Sequence, residues 1–334
     1  MDIRHALMMF GLSLVAPLLL GQLMRGRVHL PTRLLDRVVN ANVHFMVTIL
    51  GVLSLWVVKI DAGLLWMPLI ACMASSIAGL TGAWRARRFY NAPASRGSFV
   101  LSSMISNRNT AGTIAVFLLL GEQGYANARL FVAVNWPYLF AACYPVAAYY
   151  QIQSQRQNES DASQITTTKP MVGWRTLLHP NLIPILGLLA GLLLNIGGVE
   201  RPAVFSPIMT WLIPLNMWLF LVPLGYELDL KAVRQTAHDV LGLSAIKFIL
   251  TPIVGYALGK ACGLSDLTLY TCVILCASPV AIQAVVTARI FKLDHPLAMG
   301  AFILTMMIFL LIVTPVIMLV FWWFDLGQVL MAGQ

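Results

Sequence analysis

Charge is what this sequence has least of. Only 10% of its 334 residues are charged, against roughly a quarter in a soluble domain that must keep its surface wet. A water-soluble globule is excluded on that ground. Acidic residues are scarcer than basic ones, 13 against 22, and all of them sit in loops or near the ends of apolar runs, Glu227 and Asp229 among them. A carboxylate proton relay and a carboxylate-ligated sodium site therefore have little support. The chain also lacks paired His, Asp or Glu at spacings that suit a nucleophile with its base or a metal centre, which argues against an enzyme. Its five cysteines, Cys72, Cys143, Cys262, Cys272 and Cys276, show neither metal-ligand spacing nor a secreted framework and read as small packing residues. No metal or other cofactor is expected. Period-two alternation is missing too, so a transmembrane barrel does not fit.

What is there is hydrophobicity, 59% of residues, in runs of the length that a bilayer core about 30 Å thick demands of a helix. Ten spans are predicted, near 5–24, 38–60, 62–84, 98–121, 125–152, 181–199, 203–226, 238–262, 266–289 and 297–324. The first run ends in basic residues rather than a small-residue cleavage site, so it is expected to stay as a helix. The net charge of +9 comes from short Arg and Lys clusters between runs, with no base-stacking module, so nucleic acid is not the expected partner. Clusters such as Arg25, Arg27, Arg33 and Arg37, or Arg85, Arg87, Arg88 and Arg96, fall in alternate connections. The opposite connections carry little more than Lys59, Arg201 and Lys260, which predicts both termini outside a cell membrane.

A polar segment rich in Gln, Ser and Thr begins at Gln151 and divides the chain. It gives a first five-helix repeat over 1–152, a cytoplasmic linker over 153–178 and a second five-helix repeat over 179–334. An offset of 170 residues lays Tyr144-Pro145-Val146 over Thr314-Pro315-Val316, and Asn107-Arg108-Asn109-Thr110 over Ala277-Ser278-Pro279-Val280. Five spans per half is an odd number, so the halves would form an inverted pair whose matching breaks mark a binding site near the midplane. The expected fold is all-α, with helices four and nine broken where they cross.

The breaks contain the candidate site. Arg108 lies deep in span four, where a guanidinium costs at least about 2.5 kcal/mol unless it meets water, a partner or a ligand. Asn107, Asn109 and Thr110 surround it with amide and hydroxyl groups, a set suited to an anion. An alternative role for Arg108 is to donate to the carbonyls freed by the break. In span nine Ser278, Pro279 and Gln283 mark the second break, where proline frees a carbonyl one turn earlier. Lys247 in span eight is a candidate for coupling or gating, as are Asn42 and His44 in span two, the imidazole through a proton path. The aromatic cluster Phe321-Trp322-Trp323-Phe324 reads as an interfacial belt.

Several short motifs carry a resemblance. His179-Pro180-Asn181-Leu182-Ile183, Leu212-Ile213-Pro214-Leu215 and Pro223-Leu224-Gly225 come first, then Lys247 with Pro252, Ala277-Ser278-Pro279-Val280-Ala281, and Asp294. Together with Asn109-Thr110-Ala111-Gly112 and Gly121-Glu122-Gln123-Gly124 in the first half, they make the chain similar to the auxin efflux carrier family of permeases, within the wider group of bile acid sodium symporters. The resemblance implies ten spans in two inverted repeats and, as substrates, organic anions such as small carboxylates or auxin-like acids. It also leaves open a sodium-coupled symporter, a non-transporting sensor and a homodimer. Arg108 and Asn109 stand where related carriers more often have Pro or a small residue.

Overall fold

The computed structural model describes residue 8 and residues 11–58, 63–158, 183–227 and 241–324. Among these the chain is helical, with no strand and one isolated antiparallel bridge. The helices are numbered here in chain order: α1 (Gly11–Arg25), α2 (32–55), α3 (Met67–Phe89), α4 (Pro93–Met104), α5 (108–120), α6 (122–158), α7 (Ile183–Ile196) and α8 (Phe205–Glu227). After them come α9 (Leu241–Ala261), α10 (Asp266–Cys276), α11 (Ile282–Ile290) and α12 (His295–Trp323). Among the described residues six stretches are long and apolar enough to cross a bilayer, and α1, α7 and α10 are shorter apolar helices.

One of the six, Arg108–Gln157, runs for 50 residues, which at 1.5 Å per residue is about 75 Å, more than twice the hydrocarbon thickness. It is not one helix. Gly121 adopts φ 65° and ψ −156° inside it, a conformation that a Cβ would oppose, and the turn there separates α5 from α6. Span five is thus entered at Glu122. Its helix continues to Asn158, beyond the predicted linker boundary, and the rest of that segment lies outside the described residues.

The helices pack as two groups. α1 lies along α8, and α2 lies along α7 and α8, while α3 to α6 and α9 to α12 contact one another. Within the first group small residues set the crossings. A Cβ on Gly21 would run into the backbone of Val222 and Gly225, and one on Gly191 into the backbone of Val52. Backbones this close gain dispersion contacts that lipid cannot supply. The first group meets the second where α2 and α7 reach the helices over 113–133.

Candidate functional site

The apolar run over 98–121 stops being helical at Ile105, which takes φ −96° and ψ 110°, and resumes at Arg108. The run over 266–289 does the same between Ala277 and Ile282, with Ala281 extended at φ −92° and ψ 153°. A break at membrane depth leaves main-chain N–H and C=O groups that must find partners inside the protein. Here each break supplies the other. Asn107 N donates to Pro279 O at 2.7 Å and Ala281 N to Ile105 O at 3.2 Å, around the bridge between Ser106 and Val280. Val280 N donates to Thr305 Oγ1 at 3.1 Å.

α9 closes the remaining gaps. Lys247, fully buried, donates from Nζ to Ser103 O at 2.7 Å and to Ser106 Oγ at 2.8 Å. One turn on, the Thr251 hydroxyl sits 2.7 Å from Cys276 O, at the end of α10. One neighbouring helix thus supplies a donor to the carbonyl ending α4 and sets a hydroxyl, which is also 2.6 Å from Lys247 O, beside the carbonyl ending α10. Gly112 lets α5 approach the second break, because a Cβ there would strike the Ser278 hydroxyl.

Beside the paired breaks lies a cavity of about 520 Å³. Asn107, Arg108, Asn109, Thr110 and Gln283 line it, so one residue of the first break, the first turn of α5 after it and one residue after the second break share a single chamber. Ser278 and Pro279 are not in its lining. Ser278 is buried with no partner for Oγ, and Pro279 serves through its carbonyl. Asn42 and His44 also lie off the lining. Asn42 Nδ2 donates to Asn216 O of α8 at 3.1 Å, and His44 Nε2 is buried without a partner. Lys247 reaches the chamber only through Ser106, which lines it.

Arg108 is 3% exposed. Its Nη1 donates to Ala71 O of α3 at 3.3 Å and its guanidinium stands 5.2 Å from the centre of the Phe131 ring. Nε and Nη2 have no partner. The carbonyl it does use belongs to α3 and not to its own break. In the same cavity lining the structure places a second guanidinium that the sequence reading left without a role. Arg129, 2% exposed and also lining the cavity, donates to Asn109 Oδ1 at 2.9 Å and to Val47 O at 3.4 Å, and its Nε is unpaired. Its depth inside span five was the available signal. The loop-like neighbours that drew attention to Arg108 are missing around it, since it sits in unbroken helix.

The chamber's other polar groups include Ser75, Asn135, Tyr138 and Thr287, while Trp136, Phe140 and Phe302 give it an apolar wall. Among the described residues no Asp or Glu lines it. Both α5 and α11 begin at its edge, so two helix N-termini add partial positive charge to two guanidinium ions. Among the described residues no cluster of His, Cys, Asp and Glu could hold a metal ion. The chemistry on offer is reversible capture of a negative group, with room for an apolar body.

No individually curated protein matches the sequence. A family model described as membrane transport protein matches residues 56–318, a stretch that begins at the end of α2 and takes in both breaks and every cavity residue after them. A long apolar chain whose paired helix breaks surround a polar chamber agrees with that match, and the chain belongs to this family of membrane transporters, the auxin efflux carrier family whose motifs it carries.

Proposed function

We propose that this protein is a secondary active transporter that moves a small organic anion, such as a carboxylate, across the cell membrane by alternating access. The observation that carries the reading is the pair Arg108 and Arg129, two buried guanidinium ions with unsatisfied donors in one cavity that has no acidic residue among the described ones. A buried, uncompensated charge is unfavourable by several kcal/mol, on the order of the cost of inserting a charged residue at all. A bound anion would remove that cost.

In this reading the chain crosses the membrane ten times as two inverted five-helix repeats, with α4–α5 and α10–α11 as the crossing helices and both termini outside. The cavity is lined by the N-terminal halves of α2 and α7, through Leu35, Val39 and Ile185, and by the C-terminal end of α8, through Phe220 and Leu224. With the termini outside, those ends face the cytoplasm. The other end of the same helices is closed by Arg201, which pairs with Glu122 Oε1 at 2.5 Å and donates to Leu53 O at 2.9 Å and to Ser206 Oγ at 2.7 Å. A chamber lined toward one end of these helices and an ion pair joining the two helix groups at the other suit one half of an alternating-access cycle.

The test is uptake of radiolabelled carboxylates into proteoliposomes with and without a pH or sodium gradient. Saturable uptake of at least one carboxylate is expected, lost in Arg108→Ala, and independent of sodium because the cavity offers no carboxylate ligand for it among the described residues. Carboxylate uptake equal to that of empty liposomes across the panel would overturn the proposal.

A further inference from the structure

Lys247 has no part in the anion site, yet it is a titratable side chain with 0% exposure in the middle of α9. Its two acceptors, Ser103 O and Ser106 Oγ, match the two N–H groups of a neutral amine. An ammonium carries three donors, and the third would have no partner in a site closed to water, where an unmet charged donor is costly. The charged and titratable groups that act on Lys247 are Arg108 of α5, Cys143 of α6 and Cys276 of α10. None is a carboxylate. Arg108 is permanently charged, and like charges in a medium of low dielectric repel strongly.

Ser106 has two faces. Its hydroxyl meets Lys247, and the same residue lines the cavity, so a single hydroxyl separates the amine from whatever water or ligand the chamber holds. An anion resting on Arg108 would cancel one positive charge near Lys247 and so favour an ammonium there.

We propose that Lys247 is the proton carrier of the transport cycle: a neutral amine while the cavity is empty, protonated through the Ser106 hydroxyl when a carboxylate occupies the site, and deprotonated again when the carboxylate leaves. The proposal rests on the anion-carrier reading above and adds its coupling. The balance is one carboxylate plus one proton entering from the same side, the amine becoming an ammonium, and both leaving together on the far side. A monocarboxylate therefore crosses without net charge, and transport follows the proton gradient in the direction of the anion.

Two measurements on the full chain in lipid nanodiscs test it. The first needs no ligand. Protein labelled with 13C and 15N at lysine carries six such residues, and NMR at neutral pH in a carboxylate-free buffer should show one neutral amine. That signal should be absent in Lys247→Met. If that variant does not fold, single Arg replacements at Lys59, Lys169, Lys231, Lys260 and Lys292 assign the signal by elimination. Six ammonium signals would overturn the proposal. The second measurement adds acetate, benzoate or succinate to weakly buffered protein with a pH dye. Uptake of about one proton per bound anion is expected, slowed in Ser106→Ala. Binding without proton uptake would remove Lys247 from the cycle and leave the anion reading intact. Binding of none of the three, by calorimetry, would count against the anion reading and take this proposal with it.

Discussion

The backbone N–H of Asn107 donates to the carbonyl of Pro279 at 2.7 Å, so two helix breaks far apart in sequence hold each other open through main chain alone. The side chain of Asn107 is free to face the cavity because its backbone does the joining. Proline at this position isolates the two roles. Asn107 has φ −79° and follows an extended Ser106, a geometry that proline tolerates. Asn107→Pro should then destabilise the protein by about 1–3 kcal/mol through one unmet buried carbonyl, while Asn107→Ala should leave thermal unfolding nearly unchanged. Equal unfolding temperatures for both variants would contradict the pairing.

Asn109 orients Arg129 by accepting from Nη1 at 2.9 Å. Asn109→Ala should release that guanidinium and weaken carboxylate binding by about tenfold, the equivalent of 1.4 kcal/mol for a charge-assisted hydrogen bond. Arg129→Lys should weaken it more, because a lysine cannot serve Asn109, Val47 and a ligand with one planar fork. Calorimetric titration of purified variants reads both effects, and unchanged affinity in Arg129→Lys would place the anion on Arg108 alone.

Arg201 and Glu122 connect the loop after α7 to the turn between α5 and α6. If this contact closes one side of the membrane and opens in each cycle, a covalent bond in its place should stop the cycle. With Glu122→Cys and Arg201→Cys in a background cleared of the five native cysteines, oxidation should abolish flux and reductant should restore it. Full flux from the oxidised protein would mean that the two groups do not separate there.

The crossing of α1 and α8 depends on Gly225, where a Cβ would strike the Leu18 carbonyl. Gly225→Leu should lower the stability of the first helix group by about 1–3 kcal/mol or more, since backbone cannot move aside as a side chain can. Thermal unfolding in detergent reads this directly. A substitution at Gly11, which has open space around it, is the matched control and should be silent.

The helices were legible because their cause is local: a long apolar run needs no partner to declare itself. The two breaks were legible for the same reason, since Asn107 to Thr110 and Ser278-Pro279 interrupt such runs. Arg108 could be singled out by depth and by its polar neighbours. What the sequence did not show depends on distance between residues. Arg129 lies in unbroken helix, and only the fold places it beside Asn109, 20 positions away. The tie from Lys247 to Ser103 and Ser106 spans 144 and 141 positions, and no local pattern encodes it. Asn42 and His44 show the reverse: polar residues inside a span suggested a path, yet Asn42 is used to join α2 to α8. The helix α6 runs on to Asn158 through Gln and Ser residues that look like linker by composition, although they are permissible on a helix.

The account rests on an anion held between Arg108 and Arg129. The most direct measurement is a structure of the protein soaked with a brominated carboxylate, with data collected at the bromine absorption edge. An anomalous peak inside the cavity, with the carboxylate against the free donors of Arg108 and Arg129, is the predicted result. A peak elsewhere, with the cavity holding only water and both guanidinium ions unchanged, would contradict it.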